Sequence, residues 1–257
     1  MRFFILTICC ITLFIACGSD DEPEPTAIKP NYFPDAVGTK WDYRTSDGSL
    51  WTWLVSDEIS INDTLFQNID YLPEVTGKYL DLLIPSSFRV TQNQVFFKVD
   101  ERINNYLHNG LPKVVEDEFT GLEIRVNSDA KLYPELLFMQ TPLTLNSQWD
   151  AFGTTITGNL NLQDLVLLQF AFDVHIKIHC KVLNKKVVQT PAGAFENAFQ
   201  LQYETDITHL VLSNEKTAKS IKMVWFVPHV GIVKIEDDEG VTELIEYNLE
   251  PSIDEIK

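Results

Sequence analysis

Apolar and polar side chains alternate with a period of two along most of the chain after residue 40, and no long stretch carries the spacing of an amphipathic helix. The clearest case is Asp173–Val182. There Val174, Ile176, Ile178, Cys180 and Val182 share one side, and His175, Lys177, His179 and Lys181 share the other. One buried side and one wet side mark an antiparallel sheet, so the expected fold class is mainly β. The same test places strands at Lys40–Thr45, Leu50–Ile59, Phe88–Val99, Leu122–Val126, Asp173–Val188, Ala198–Leu212, Ser220–Val227, Ile232–Glu236 and Val241–Asn248. Turns are expected at Asp47-Gly48, Asn109-Gly110, Pro191-Ala192-Gly193, Pro228-His229-Val230-Gly231 and the acidic run that ends at Gly240. Leu132–Gln140 reads as a short helical turn, and Leu160–Phe172 is too evenly apolar to assign by period.

The chain echoes itself. Pro34–Asp42 aligns without gaps on Pro142–Asp150, which puts Gly38 on Asn146 and Trp41 on Trp149. Gly and Asn are the residues that best tolerate positive φ, so both copies can form the same turn ahead of a Trp-bearing strand. Phe66-Gln67-Asn68 is echoed by Phe195-Glu196-Asn197, and Phe97–Asp100 by Val233–Glu236, in the same order. This predicts two similar β units, about 31–127 and 128–250, paired into one continuous sheet. Chance similarity between strands is the competing account.

The first residues look like an address. Met1–Ala16 carries one positive charge and then an apolar run too short to span a bilayer comfortably, as a signal peptide does. Phe14-Ile15-Ala16-Cys17 resembles a bacterial lipobox, with Cys17 as the residue that would be acylated. The plainer alternative is an ordinary signal peptide with a cysteine beside its cleavage site. Ser19, Asp20, Asp21 and Glu22 resemble the acidic export signal that sends Bacteroidota lipoproteins to the outer face of the outer membrane. The periplasm-facing leaflet is the other destination. Residues 17–30 also read as an acidic, Pro-containing tether that cannot bury enough surface to fold, leaving 31–257 as the β domain. Of four Cys, only Cys180 then remains unassigned, so no disulfide is expected within the mature chain.

Composition narrows the partners. The 257 residues carry 20 basic and 37 acidic side chains, a net charge of −17, and loss of Arg2 with the leader would make it −18. Nucleic acid is excluded as a partner on this basis, because neutralising phosphates takes clustered Lys and Arg. With 45% hydrophobic residues there is ample material for a core.

Candidate chemistry is sparse. The sequence has no G-x-S-x-G, H-E-x-x-H, phosphate-binding glycine loop or C-x-x-C. His175 and His179 share a strand side but lie about 13 Å apart at ~3.3 Å per residue, too far to bind one metal. The acidic tips Glu116–Glu118 and Glu236–Gly240 lack the spaced pattern of a calcium loop, and a weak calcium site is the lesser reading of them. No metal or cofactor is expected. Two carboxylates meeting in space are invisible to this reading, so a hydrolase stays open as an alternative. The positive hint is Trp51 and Trp53, which project from the same side of one strand. They either line the core, as large aromatics usually do, or stack on sugar rings or an apolar ligand.

With these residues in view, three segments show a family likeness: Phe33-Pro34 with Val37–Tyr43, Thr190–Phe195, and Trp225–Lys234. They resemble a group of Bacteroidota lipoproteins of unassigned function, in the style of the DUF3108/TapB-like β proteins. The resemblance implies an antiparallel architecture such as the open half-barrel of the lipoprotein carriers LolA and LolB, and it carries no catalytic residues across. The resulting expectation is a non-catalytic, lipid-anchored outer-membrane protein. It would bind a glycan or apolar ligand or act as a scaffold. The alternative is an interaction subunit docked on an outer-membrane protein.

Overall fold

The computed structural model of the protein describes residues 31–73, 81–111, 124–127, 135–162, 169–211 and 214–250. Thirteen strands lie in these residues: β1 (Lys40–Thr45), β2 (Leu50–Ile61), β3 (Thr64–Leu72), β4 (Ser87–Val90), β5 (Gln94–Lys98), β6 (Ile124–Asn127), β7 (Glu135–Gln140), β8 (Gln148–Leu162), β9 (Gln169–Thr190), β10 (Gly193–Val211), β11 (Asn214–Val227), β12 (Gly231–Asp237) and β13 (Gly240–Asn248). They form one sheet in the order β6-β8-β9-β10-β11-β12-β13-β1-β2-β3-β4-β5-β7. The ladders are antiparallel, as the alternation of side chains requires. Two six-stranded meanders, β1–β5 with β7 and β8–β13, lie side by side and join through the β1–β13 ladder.

The sheet curls into a nearly closed barrel. β7 and β8 approach across the seam without a backbone ladder. The Trp149 indole N–H of β8 donates to the Leu137 carbonyl of β7 at 3.0 Å, and the Tyr203 hydroxyl of β10 donates to the Phe138 carbonyl at 2.6 Å. Side chains thus supply hydrogen bonds across a seam where no backbone ladder forms between β7 and β8.

The two echoed turns are built alike. Thr39 N bonds Ala36 O at 3.0 Å, and Ser147 N bonds Thr144 O at 3.1 Å. Gly38 N and Val55 N close a pair of bonds with Val55 O and Thr39 O, while Asn146 N and Val182 N do the same with Val182 O and Ser147 O. Gly38 has φ +95° and Asn146 +64°, the left-handed backbone that the two residue types were expected to share. Trp41 and Trp149 then each spend the indole N–H on a backbone carbonyl, Val230 at 2.6 Å and Leu137 at 3.0 Å.

The interior is aromatic. Phe33, which precedes β1, is 1% exposed and touches rings on six strands: Trp41, Trp53, Phe88, Phe97, Phe138 and Phe226, at centroid distances of 5.2–6.5 Å. A ring that meets β1, β2, β4, β5, β7 and β11 together can lie only inside the barrel. The chain therefore enters the fold by plugging it. A short helix α1 (Asp100–Asn105) continues into a π-helical turn (Tyr106–Gly110) that buries Ile103, Tyr106 and Leu107. The Tyr106 hydroxyl bonds Nε2 of buried His209 on β10.

Several local expectations need correction. The predicted strand Phe88–Val99 is a hairpin, β4 and β5, closed at Thr91–Gln94. Of the expected helical turn Leu132–Gln140, the described part is strand β7. Leu136, Phe138 and Met139 are buried there, and pairing with β5 overrides the ambiguous period. Asn109-Gly110 belongs to the π turn rather than to a hairpin. Strands β3 and β8 were absent from the expected set, although the echoed turn at Asn146 pointed at a Trp-bearing strand where β8 lies.

Candidate functional site

Two hairpin turns and one long side chain build a cleft at one mouth of the barrel. The β1–β2 turn is locked by Asp47, whose Oδ1 accepts from Thr45 Oγ1 and from Ser49 N at 2.9 Å. These bonds, that from Thr45 first, hold the Asp47 carboxyl below the usual carboxylate range. The β12–β13 turn is closed by Glu239 N donating to Asp237 Oδ1 at 3.0 Å. The two turns are stitched together by Ser46 N to Val241 O at 2.7 Å and Val241 N to Ser46 Oγ at 3.3 Å.

Behind them Lys222 of β11 extends its ammonium to Asp81 Oδ2 at 2.7 Å and Asp237 Oδ2 at 3.0 Å. Asp81 lies between β3 and β4, four strands from β12 in the sheet, so the lysine links opposite walls of the mouth. Burial alone would push this lysine down, but its two carboxylates outweigh it and the net direction is up. Lys222 therefore stays an ammonium, unsuited to act as a base or nucleophile.

The apolar wall is Trp51. Its indole stacks on Tyr43 at 4.4 Å with planes 24° apart, and Tyr43 is itself fixed by donating to Ile232 O at 2.9 Å. The remaining surface of Trp51, with exposed Leu50, faces a cleft of about 400 Å³ that also meets Asp47, Lys222 and Asp237. That volume falls within the range of small-molecule sites.

The other residues singled out by sequence separate clearly. Trp53 is 3% exposed and packs among Trp41, Tyr71, Phe88 and Phe97, so the strand that carries both tryptophans sends one into the core and one to the mouth. Cys17, Ser19, Asp20, Asp21 and Glu22 lie outside the described residues, as does Glu116–Glu118. His175 bonds Thr155 Oγ1 at 2.9 Å and His179 pairs with Asp150 at 3.1 Å on the outer side of β9. Among the described residues no three His, Cys, Asp or Glu gather to hold a metal. Cys180 is buried, and burial pushes its thiol up, away from the reactive thiolate. Sequence reasoning missed Lys222 and Asp81. They stand 141 positions apart, and no local signal joins them.

The three segments that carried the family likeness fold into structural joints. Trp41 of the first seats its indole on Val230 and Gly231 of the third, and the second forms the β9–β10 hairpin tip, where Ala192 N donates to Leu244 O at 3.1 Å. No family model matches the chain, so the particular DUF3108/TapB-like kinship is not established, and no curated protein matches either. Among solved structures it is similar to a Parabacteroides distasonis protein provisionally described as a lipoprotein. Identity is 16%, 86% of this chain and all of that one are covered, and the TM-score is 0.43. It is also similar to a Bacteroides fragilis protein provisionally described as exported, with a YmcC-like fold, at 13% identity, the same coverage and a TM-score of 0.39. Both are too distant to carry a function across.

Proposed function

We propose that this is a non-catalytic lipoprotein, anchored in the outer membrane through Cys17 and displayed at the cell surface, whose β shell presents a ligand-binding cleft. The anchor and the address rest on Phe14-Ile15-Ala16-Cys17 and on Ser19–Glu22. The observation that carries the binding role is the half-buried Trp51, held on Tyr43 at the rim of a cleft, in a barrel whose centre is filled by Phe33 and its neighbours. An interior so packed favours a ligand at the mouth over one in the lumen. The non-catalytic reading is supported by the charges at the cleft: the one cation there among the described residues, Lys222, is already paired with two carboxylates.

Replacing Cys17 by Ser should release the protein from membranes, and retention there would refute the anchor. Protease treatment of intact cells should digest the native protein, whereas protection would place it on the inner leaflet. Crosslinking in intact cells addresses the binding role. Recovery of a stoichiometric outer-membrane protein, lost when Trp51 is replaced by Ala, would replace ligand binding with the docking role.

A further inference from the structure

Resting on that reading of the cleft, we infer that its ligand is an uncharged, hydroxyl-rich ring, a neutral sugar unit, seated with its C–H face on Trp51. The cleft itself selects this class. Among the described residues Asp47, Asp81, Asp237 and Glu239 line the cleft with a single ammonium, Lys222, which already sits between two of them, so an anionic ligand meets net repulsion. A cationic ligand finds Asp81 and Asp237 already bound to that ammonium and Asp47 already holding Thr45 and Ser49, so it would have to displace bonds the fold has made. A purely apolar ligand would strip water from the charged groups without replacing their hydrogen bonds. A sugar satisfies both walls at once. Its axial C–H groups cover indole, and its hydroxyls donate to carboxylates and exchange bonds with the exposed Ser46 and Ser49.

The platform is made in advance. Tyr43 is fully buried and tied to Ile232, and it supports one face of Trp51, so little side-chain freedom is lost on binding.

The test is saturation-transfer NMR with tryptophan fluorescence on the full-length lipoprotein in detergent. The probes are methyl glycosides of glucose, galactose, mannose and N-acetylglucosamine, run beside glucuronate, tetramethylammonium and N-phenyl-1-naphthylamine. At least one neutral glycoside should bind in the millimolar range or tighter. Trp51→Ala should weaken it tenfold or more and Trp51→Phe less, with Trp53→Phe close to wild type and circular dichroism unchanged throughout. Binding only of a charged or apolar probe, still dependent on Trp51, would overturn the sugar assignment and leave the cleft as the site. No binding in any class, or binding indifferent to Trp51, would overturn both.

Discussion

Gly231 should be among the least replaceable positions in the barrel, and its cost can be worked from geometry. It has φ +110°, a conformation L side chains rarely adopt, which costs about 1–3 kcal/mol when imposed on alanine. A Cβ built there would stand 2.8 Å from Trp41 Nε1, 3.1 Å from Cε2 and 3.3 Å from Cζ2. The indole cannot swing away cheaply, because Trp41 is 2% exposed and packs against Phe33 and Trp53. If it moves, it loses its 2.6 Å bond to Val230 O and leaves a buried donor unsatisfied, worth a further ~1–3 kcal/mol. Gly231→Ala should therefore destabilise by about 3–5 kcal/mol, or roughly 10 °C in Tm at ~2–4 °C per kcal/mol for a domain of this size. Urea unfolding followed by circular dichroism measures this. The same substitution in a Trp41→Phe background should cost less, since the smaller ring gives up the clashing atoms and the two penalties cease to add. A loss under 1 kcal/mol for Gly231→Ala, or equal losses in both backgrounds, would refute the reasoning.

Three further outcomes follow from the same structure. Phe33→Ala empties the centre of the aromatic cluster and should lower stability by ~3–5 kcal/mol in urea titration. Lys222→Met keeps the length of the side chain but leaves Asp81 and Asp237 facing each other across the mouth. It should cost ~2–4 kcal/mol at pH 7, as the urea midpoints of variant and wild type would show. Burial first, and then the charge of Lys216, hold His209 below its ordinary value of ~6.5. The unfolded chain then binds the proton more readily, so stability is full above ~6.5 and falls as the pH drops through the lowered folded value. The urea midpoint should decline less between pH 7 and pH 5 in His209→Gln than in wild type.

Much of the sheet was legible because burial of one side writes itself into the sequence at every second residue. β9 shows this most plainly: Val174, Ile176, Ile178, Cys180 and Val182 are all buried, as the alternation required. The paired turns were legible for a backbone reason, since Gly38 and Asn146 announce positive φ. β7 was not, because Leu136, Phe138 and Met139 mix two periods and only the ladder with β5 decides between them. The helix at Asp100–Asn105 carries no side-chain cap to announce it. At the site, Trp51 and Trp53 sit two apart on one strand and are equivalent by pattern. Their divergence depends on Tyr43 beneath one and on Phe88 and Phe97 around the other. The ionic bridge of Lys222 joins residues remote in sequence, so it exists only once the barrel has curled.

The way the barrel ends meet sets how it behaves beside other chains. A strip of strands normally finishes in a ragged selvedge that another chain can extend. Here an indole and a phenol fasten that hem, each donating to a backbone oxygen of β7, those of Leu137 and Phe138. At this seam the closure comes from side chains rather than from a ladder of backbone bonds.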